Sequence, residues 1–437
     1  MPALHVGLIG FGTVGAGMVE ILLHNRQLIA DRVGGEIVLK RIADLDIHSD
    51  RGVKIDPAIL TTDAMEILND PEIEVVVELI GGCDQALDYI SMAMKRGKHV
   101  ITANKALIAT HGRQLFEMAE KYDVDIAFGA SVAGGIPIIK SLREGLAANR
   151  IQSVLAILNG TSNYILTRMT QEGLSFQEAL STAQRLGYAE ADPTLDIDGS
   201  DAAHKLTIII SLAFGFPFSY EDIYKEGIDK VSPEDIRFAG EFGYCVKLLA
   251  IARRSGEHIE ARVHPAFVPR DHILANVNEA YNAVYVEGDF VGPTLFYGLG
   301  AGRKPTGSAA VADLVDIARN HIKGITRRVS PLSFARSPSK ELSLKPMDEV
   351  RSGYYFRVSA LDRPGVLSKI SGILGEHNIS IAAVIQKKRE AHGPVPVVML
   401  THEARERDVR ESLELIDKLD MVAGKTVVFR VEKRTGI

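Results

Sequence analysis

Cysteine is nearly absent: Cys83 and Cys245 are the only two in 437 residues. Two thiols cannot build a disulfide framework or a thiolate metal cluster, so a reducing, cytoplasmic setting is expected. Long apolar runs are lacking as well. The longest, "LTIIISLAFGFPF", falls short of the ~20 residues of a membrane span and runs into Pro217. There is no excess of basic charge. The formal net charge is −6 and no basic stripe occurs, which points away from nucleic acid. The opening "MPALHVGLIGFG" has neither a basic leader nor a cleavage site, so no signal peptide is expected.

Core material is plentiful. The chain is 46% hydrophobic and 24% charged, and its length calls for two or three domains. The first third alternates strand and helix: "LHVGLI", "TVGAGMVEILLHNRQLIA", "EIVLKRIAD", "IEVVVELIG", "ALDYISMAMKRG", "HVITAN", "GRQLFEMAEKYD", "VDIAFGA". Strands without polar alternation, separated by amphipathic helices, predict a parallel sheet covered on both faces. In the middle third "RIQSVLAILNG", "EARVHPAFVP", "NAVYVEGD" and "GPTLFYG" read as strands, some without helices between them. That predicts an α+β domain with a mixed sheet, carrying the helices "SFQEALSTAQRLG" and "SDAAHKLTIIISLAF". "FGYCVKLLAIA" reads as helical, and "GSAAVADLVDIARNHI" as a helix returning to the first domain.

Residues 331–350 hold three prolines and little periodicity, which predicts a linker. Behind it, strand "YYFRVSAL" leads to helix "PGVLSKISGILGEHN", with Pro364 in the first turn and Val366, Leu367, Ile370, Ile373 and Leu374 on one face. Strands "ISIAAVIQKK" and "VPVVMLTHE", joined by a turn at Gly393 and Pro394, precede helix "RDVRESLELIDKLD" and strand "TVVFRVE". The order βαββαβ is ferredoxin-like. Such a module is expected to fold by itself.

"GFGTVG", Gly10 to Gly15, follows a strand and opens a helix. Gly10 suits a tight turn, Gly12 lets a pyrophosphate approach the backbone, and Gly15 lets helix and strand pack closely. The helix N-terminus offers free N–H groups to the phosphates. This is the Rossmann-type dinucleotide signature, expected over residues 1–133 with 305–325 returning to it. The second strand ends "KRIADLD". Asp44 suits a ribose hydroxyl, as in NAD; Lys40 or Arg41 suits a 2′-phosphate, as in NADP. Both remain open.

Asn104 and Lys105, in "TANKALIA", follow strand "HVI" and so lie at the carboxyl end of a parallel strand, where ligands bind. "NGTSNYI" places Gly160, Thr161 and Ser162 between strand and helix, which suits an anionic group or plain N-capping. In "GYAEADPTLDIDGSDAAHK" four acids, Glu190, Asp192, Asp196 and Asp198, crowd a loop before Asp201 and Lys205. The last two stand four apart on one helix. Spacing alone favours an ordinary ion pair, worth about 0.2–0.5 kcal/mol on an exposed helix. A lysine held by an aspartate beside an acidic pocket is also placed for acid–base work.

These motifs, with "ASVAGGIPII" and "GLGAGRKPTGSAAVADL", resemble homoserine dehydrogenase of the kind that ends in an ACT domain, a small amino-acid-sensing module. The resemblance spans nearly the whole chain, and "GYAEADP…D…D…DAAHK" is its most specific part. It implies interconversion of L-homoserine and L-aspartate 4-semialdehyde with NAD or NADP. It implies a substrate and catalytic domain over 134–304 and an ACT domain over 351–437.

It also implies roles. Lys205 relays the proton and Asp201 assists it. Glu190 binds the substrate amine, with Gly160, Thr161 and Tyr188 beside it, and Lys105 stands between nicotinamide and substrate. Gly10, Gly12, Thr13, Val14, Gly15, Arg41, Lys105 and Gly302 fall to the cofactor. A monovalent cation would take carbonyls around Val132, Gly134 and Ile136, but Gly129 stands where the family often has a glutamate ligand. An amino-acid effector, threonine by the family's habit, would meet Asp362, Gly365, Val366 and Asn378. A homodimer or homotetramer is implied as well.

The physics fits the resemblance. An ammonium beside the reacting carbon stabilises the alkoxide that hydride transfer creates. In the oxidative direction the lysine must be neutral. A second lysine or burial favours that form, Asp201 opposes it, and the residues leave the balance open. Two rivals make different demands. A thioester-forming aldehyde dehydrogenase needs a nucleophilic cysteine with a base, and neither Cys83 nor Cys245 has an obvious partner. A non-catalytic NAD(P) sensor would not need the acids around Lys205.

Overall fold

The computed structural model describes residues 2–335, 342–386 and 394–433. The expected turn residue Gly393 and residues 336–341 of the expected linker lie outside the described residues. In chain order the first elements are β1 (Ala3–Ile9), α1 (Thr13–His24), α2 (Arg26–Val33), β2 (Glu36–Ala43), β3 (Leu60–Thr61), α3 (Met65–Asn69), β4 (Val75–Glu78), α4 (Asp84–Lys95), β5 (His99–Thr102), α5 (Lys105–Lys121) and β6 (Ile126–Ala127). Next come α6 (Ile138–Lys140), β7 (Ile151–Ile157), α7 (Gly160–Glu172), α8 (Phe176–Arg185), α9 (Thr194–Ile197), α10 (Ser200–Phe214), β8 (Tyr224–Lys225), α11 (Pro233–Glu241), β9 (Tyr244–Ser255) and β10 (His258–Pro269). Then β11 (Tyr281–Gly288), β12 (Gly292–Leu299) and α12 (Arg303–Ile322) follow. The last are β13 (Ser343–Leu344), β14 (Arg351–Leu361), α13 (Val366–Glu376), β15 (Ile381–Ile385), β16 (Pro394–Thr401), β17 (Ala404–Arg405), α14 (Glu406–Ile416) and β18 (Val427–Val431).

These elements gather into two units. One holds Met1–Gly160, Asp201–Ile223 and Ala280–Leu342; the other holds Thr161–Ser200, Tyr224–Glu279 and Ser343–Ile437.

The first unit contains the predicted parallel sheet, in the order β3-β2-β1-β4-β5-β6. Order reverses between β1 and β4, which opens a crevice at their carboxyl ends. Leu4, Val6 and Leu8 of β1 pack with Met18 and Val19 of α1 and with Ala310, Val311, Leu314 and Ile317 of α12. Helix α12 approaches so closely that a Cβ on Gly17 would lie 2.1 Å from the Arg303 carbonyl oxygen. The stretch predicted as one helix, residues 13–30, divides at Asn25, whose φ of −103° and ψ of 19° end α1. Strands β7, β11 and β12 add an antiparallel set to this unit.

The second unit is built on the β9–β10 hairpin, paired from Tyr244↔Pro269 to Ser255↔His258. The helix predicted around Cys245 is therefore a strand. Residues 246–252 are buried on both faces, so apolar side chains follow one another without alternation. A short run of that kind fits helix and strand equally well.

The tail has the predicted βαββαβ order in strands β14, β15, β16 and β18, and its own core of Tyr354, Phe356, Ile370, Leu374, Val397 and Met399. Pro364 lies in the turn before α13 rather than inside it; Gly365, at φ 91°, occupies the N-cap. The tail is not a separate bead, however. β18 pairs in parallel with β10, at Ala266↔Arg430 and Phe267↔Val431. From the expected linker, β13 also pairs with β10. Phe267 packs against the tilted ring of Tyr355 at 4.6 Å and stacks on Phe429 at 5.5 Å. Buried Arg430 reaches Glu226 at 3.0 Å and Glu406 at 2.9 Å, and Arg357 reaches buried Asp235 at 2.6 Å. The expectation of an independently folding tail gives way to a shared sheet.

One buried acid has a consequence for stability. Glu78, fully buried at the end of β4, is pushed by desolvation from its ordinary 4.5 up to about 7, despite hydrogen bonds from Thr102 and Ile80 that oppose the shift. The folded state thus keeps a proton that the unfolded chain releases. Its contribution is complete below about pH 4.5 and is lost as pH rises through about 7. The shift corresponds to roughly 3 kcal/mol at most. Melting curves between pH 5 and 8 should show the decline in the native protein and a flatter profile in Glu78→Gln. An unchanged slope would assign the decline to another group.

Candidate active site

The nucleotide signature folds as its glycines require. Gly10 has φ 99°, and a Cβ there would lie 2.7 Å from the Leu79 carbonyl. A Cβ on Gly15 would collide with the Gly10 carbonyl oxygen at 2.2 Å. Nothing lies within 4 Å of a Cβ on Gly12, so the space in front of it is open. Thr13 and Val14 begin α1, whose first N–H groups are available to phosphates. Just past β2, Asp44 accepts the Phe11 N–H at 2.5 Å and the Asp46 N–H at 2.9 Å. Arg41, in β2, pairs with Glu66 at 2.6 Å, and Lys40 pairs with Asp70 and Glu72. Gly302, at φ 119°, is the N-cap of α12.

Helix α10 is apolar almost all round, and Leu206, Ile208, Ile209, Ile210 and Leu212 are each buried. A helix of that kind can only sit in a core. Asp201 and Lys205 occupy its first turns at 4% and 8% exposure. Lys205 Nζ donates to Asp201 Oδ2 and to the Leu158 carbonyl, both at 2.7 Å. Asn159 Nδ2 donates to the same Oδ2 at 2.8 Å. Lys105 Nζ reaches Oδ1 at 2.6 Å from the start of α5, where Asn104 supplies the N-cap. One buried carboxylate thus holds two ammonium groups. Burial acts strongly to raise the Asp201 carboxyl, but the two lysines together outweigh it and hold the group well below the usual carboxylate range.

The surface figure for an (i, i+4) pair does not describe this cluster. Burying charges costs several kcal/mol per ion, and an apolar pair of equal volume is often as stable. Retaining three charged groups here is therefore weak evidence for a stabilising role and points to chemistry.

The two thiols fit the thioester rival poorly. Burial raises both Cys83 and Cys245, disfavouring the thiolate that a nucleophile requires.

Comparison with known proteins gives the family. The profile for homoserine dehydrogenase matches residues 137–315, that for its NAD-binding domain matches 10–129, and that for the ACT domain matches 354–420. The homoserine dehydrogenase of Neisseria gonorrhoeae is 45% identical over 432 residues, covering 99% of each chain. The chain belongs to the homoserine dehydrogenase family. A solved homoserine dehydrogenase from Thiobacillus denitrificans superposes with a TM-score of 0.92, at 48% identity over 99% of both chains. A hyperthermophilic archaeal homoserine dehydrogenase in complex with NADPH gives 0.61 at 26% identity, covering 72% of this chain and 98% of that one.

As a homoserine dehydrogenase the protein is an NAD(P)-dependent oxidoreductase that interconverts L-homoserine and L-aspartate 4-semialdehyde, in the aspartate-derived route to threonine, methionine and isoleucine. Among the described residues no helix is long and apolar enough to cross a membrane.

The other expected residues are placed as follows. Gly160 opens α7. In the second unit, the Thr161 hydroxyl donates to the Tyr188 carbonyl at 2.7 Å, and the Tyr188 ring packs, tilted, against Tyr164 at 4.8 Å. Glu190 is exposed in the loop after α8, which Gln184 ties down through the Glu190 carbonyl. Asp362 and Gly365 flank the exposed turn before α13, Val366 is buried, and Asn378 follows α13 with φ 57°.

The cation ligands fit less well. Gly129 donates its N–H to Asp313 at 2.7 Å, and that carboxylate fills the space where a side chain at 129 would start. The Ile136 carbonyl already accepts the Ile138 N–H at 2.8 Å.

Three members of the cluster escaped sequence reasoning: Asn159, the Leu158 carbonyl and Asn282, which donates to that carbonyl at 3.0 Å. Asn159 opens the "NGTSNYI" motif and could have been singled out as a polar residue ending an apolar strand. A backbone carbonyl leaves no residue signature.

Proposed function

We propose that the cluster at the mouth of α10 is the proton-handling centre of homoserine oxidation and semialdehyde reduction. The observation that carries this is Asp201, a buried carboxylate shared by Lys205 and Lys105. NAD(P), when bound, takes or gives the hydride. Gly12, with open space before it, and the N–H groups of Thr13, Val14 and Gly15 would hold its pyrophosphate. Asp44 is the residue at hand for the adenosine ribose. Lys205 exchanges a proton with the hydroxyl that becomes the carbonyl. Asp201 keeps the ammonium oriented, and the Leu158 carbonyl fixes its second hydrogen bond. Lys105, whose side chain is 42% exposed, adds positive charge where alkoxide forms.

In this reading Glu190 takes the substrate ammonium, and Gly160, Thr161 and Tyr188 also serve the substrate. Glu190→Gln keeps the shape and removes the charge. The KM for homoserine should then rise while the KM for the cofactor changes little. The reverse pattern would move Glu190 to the nucleotide side.

The carbonyls of Val132, Gly134 and Ile136 are the proposed ligands of a monovalent cation, and no step depends on it. Threonine is the proposed effector, with its carboxylate at the N-terminus of α13 and Asn378 near its other groups. The same assay with added threonine tests this: a rate unaffected at every concentration removes the assignment. A cytoplasmic homodimer or homotetramer completes the proposal, checked by sedimentation.

A further inference from the structure

A single buried carboxylate ties together the loops that leave β4 and β5. Glu78 is the last residue of β4, and Thr102, the last of β5, stands beside it in register. Both are fully buried. The Thr102 hydroxyl donates to Glu78 Oε2 at 2.5 Å, and the Ile80 N–H donates to Oε1 at 2.7 Å. From there the network continues. The Asn104 N–H donates to Thr102 Oγ1 at 2.9 Å, and Asn104 Nδ2 crosses to the Gly82 carbonyl at 2.6 Å. Asn104 Oδ1 caps α5 by accepting the Leu107 N–H at 3.0 Å. The next residue is Lys105, which meets Asp201.

Strand β4 is otherwise Val75, Val76 and Val77, so an apolar residue would close it at less cost in desolvation. A carboxylate here makes sense if the placement of its partners matters. We propose that Glu78 is a positioning residue for hydride transfer: through Thr102 and Asn104 it fixes the start of α5 so that Lys105 meets Asp201. Through Ile80 it also fixes the turn whose Leu79 carbonyl lies against Gly10. One group therefore sets both the nucleotide turn and Lys105. The inference rests on the role given above to Lys105.

Substitution separates this role from plain stability. In Glu78→Ala the kcat should fall about 10²-fold, the scale on which a misplacement of ~1 Å is felt. Glu78→Gln can still accept from Ile80 and donate to Thr102 Oγ1, and should restore most of the loss. Thr102→Val serves if Glu78→Ala does not fold, because it severs the relay at nearly constant volume. The deciding measurement is the double variant. In a Lys105→Ala background, Glu78→Ala or Thr102→Val should cost little further, because the group they position is gone. Equal losses in both backgrounds overturn the proposal, as does native kcat in folded Glu78→Ala or Thr102→Val. Undiminished kcat in Lys105→Ala overturns the role of Lys105 and this inference together. An impaired Lys105→Ala with additive losses overturns this inference alone.

Discussion

Lys205→Ala should reduce homoserine turnover by about 10²–10⁴-fold, the usual range for losing a positioned acid–base group. Cofactor affinity should survive, because Lys205 Nζ donates to Asp201 and the Leu158 carbonyl, whereas the pyrophosphate is given to the Gly10–Gly15 turn. The fold should survive too. Asp201 keeps Lys105 and Asn159, and the Leu158 carbonyl keeps Asn282. The measurement is steady-state absorbance at 340 nm, paired with a cofactor titration of the same sample. A variant that retains a sizeable fraction of native kcat would remove Lys205 from the chemistry. A variant that loses cofactor binding in parallel would mark it as structural.

The second large effect is expected from removing the tail. Cutting the chain after residue 335 takes away β18 and with it one partner of β10. Phe267, completely buried, loses Tyr355 and Phe429. Uncovering one such side chain costs about 1.5–3 kcal/mol. Ala266 and Phe267 also lose their strand partners Arg430 and Val431, which leaves an unpaired strand edge of the kind that recruits other chains. Against a total stability of about 5–15 kcal/mol, these losses are large. The 1–335 fragment should therefore aggregate or melt well below the full chain, rather than persist as an unregulated enzyme. Size-exclusion chromatography and a thermal melt decide it. A soluble, monodisperse, active fragment would show that the shared sheet is dispensable.

The sequence made some parts of this protein legible and hid others, for physical reasons. Glycines at 10 and 15 were legible because each answers a specific steric demand, and Gly12 because the motif leaves open space in front of it. Apolar residues along "SDAAHKLTIIISLAF" reported a buried helix, and its charged first turns stood out against that background. The tail's βαββαβ order followed from clean periodicity. Strand β9 was misread because both its faces are buried, which erases the alternation that separates strand from helix. The partner of Arg41 was hidden, because Glu66, which pairs with it, lies on another segment that no local pattern announces. The β10–β18 pairing was invisible for the same reason. It joins segments more than a hundred residues apart, and nothing in "EARVHPAFVP" names its neighbour.

That pairing also sets a timetable for synthesis. Strand β10 leaves the ribosome long before β18 exists. At about 5–20 residues per second, the wait is roughly 10–30 s. Throughout it, Phe267 and the charges of Arg253 and Arg262 lack partners that arrive only with Phe429 and Glu432. The second unit therefore cannot close vectorially, from the first residue made to the last, and its nascent form is an obvious client for a holding chaperone. Arrested nascent chains ending before and after β18 should differ sharply in protease resistance around β10. Equal resistance would mean that the hairpin β9–β10 closes without its late partner.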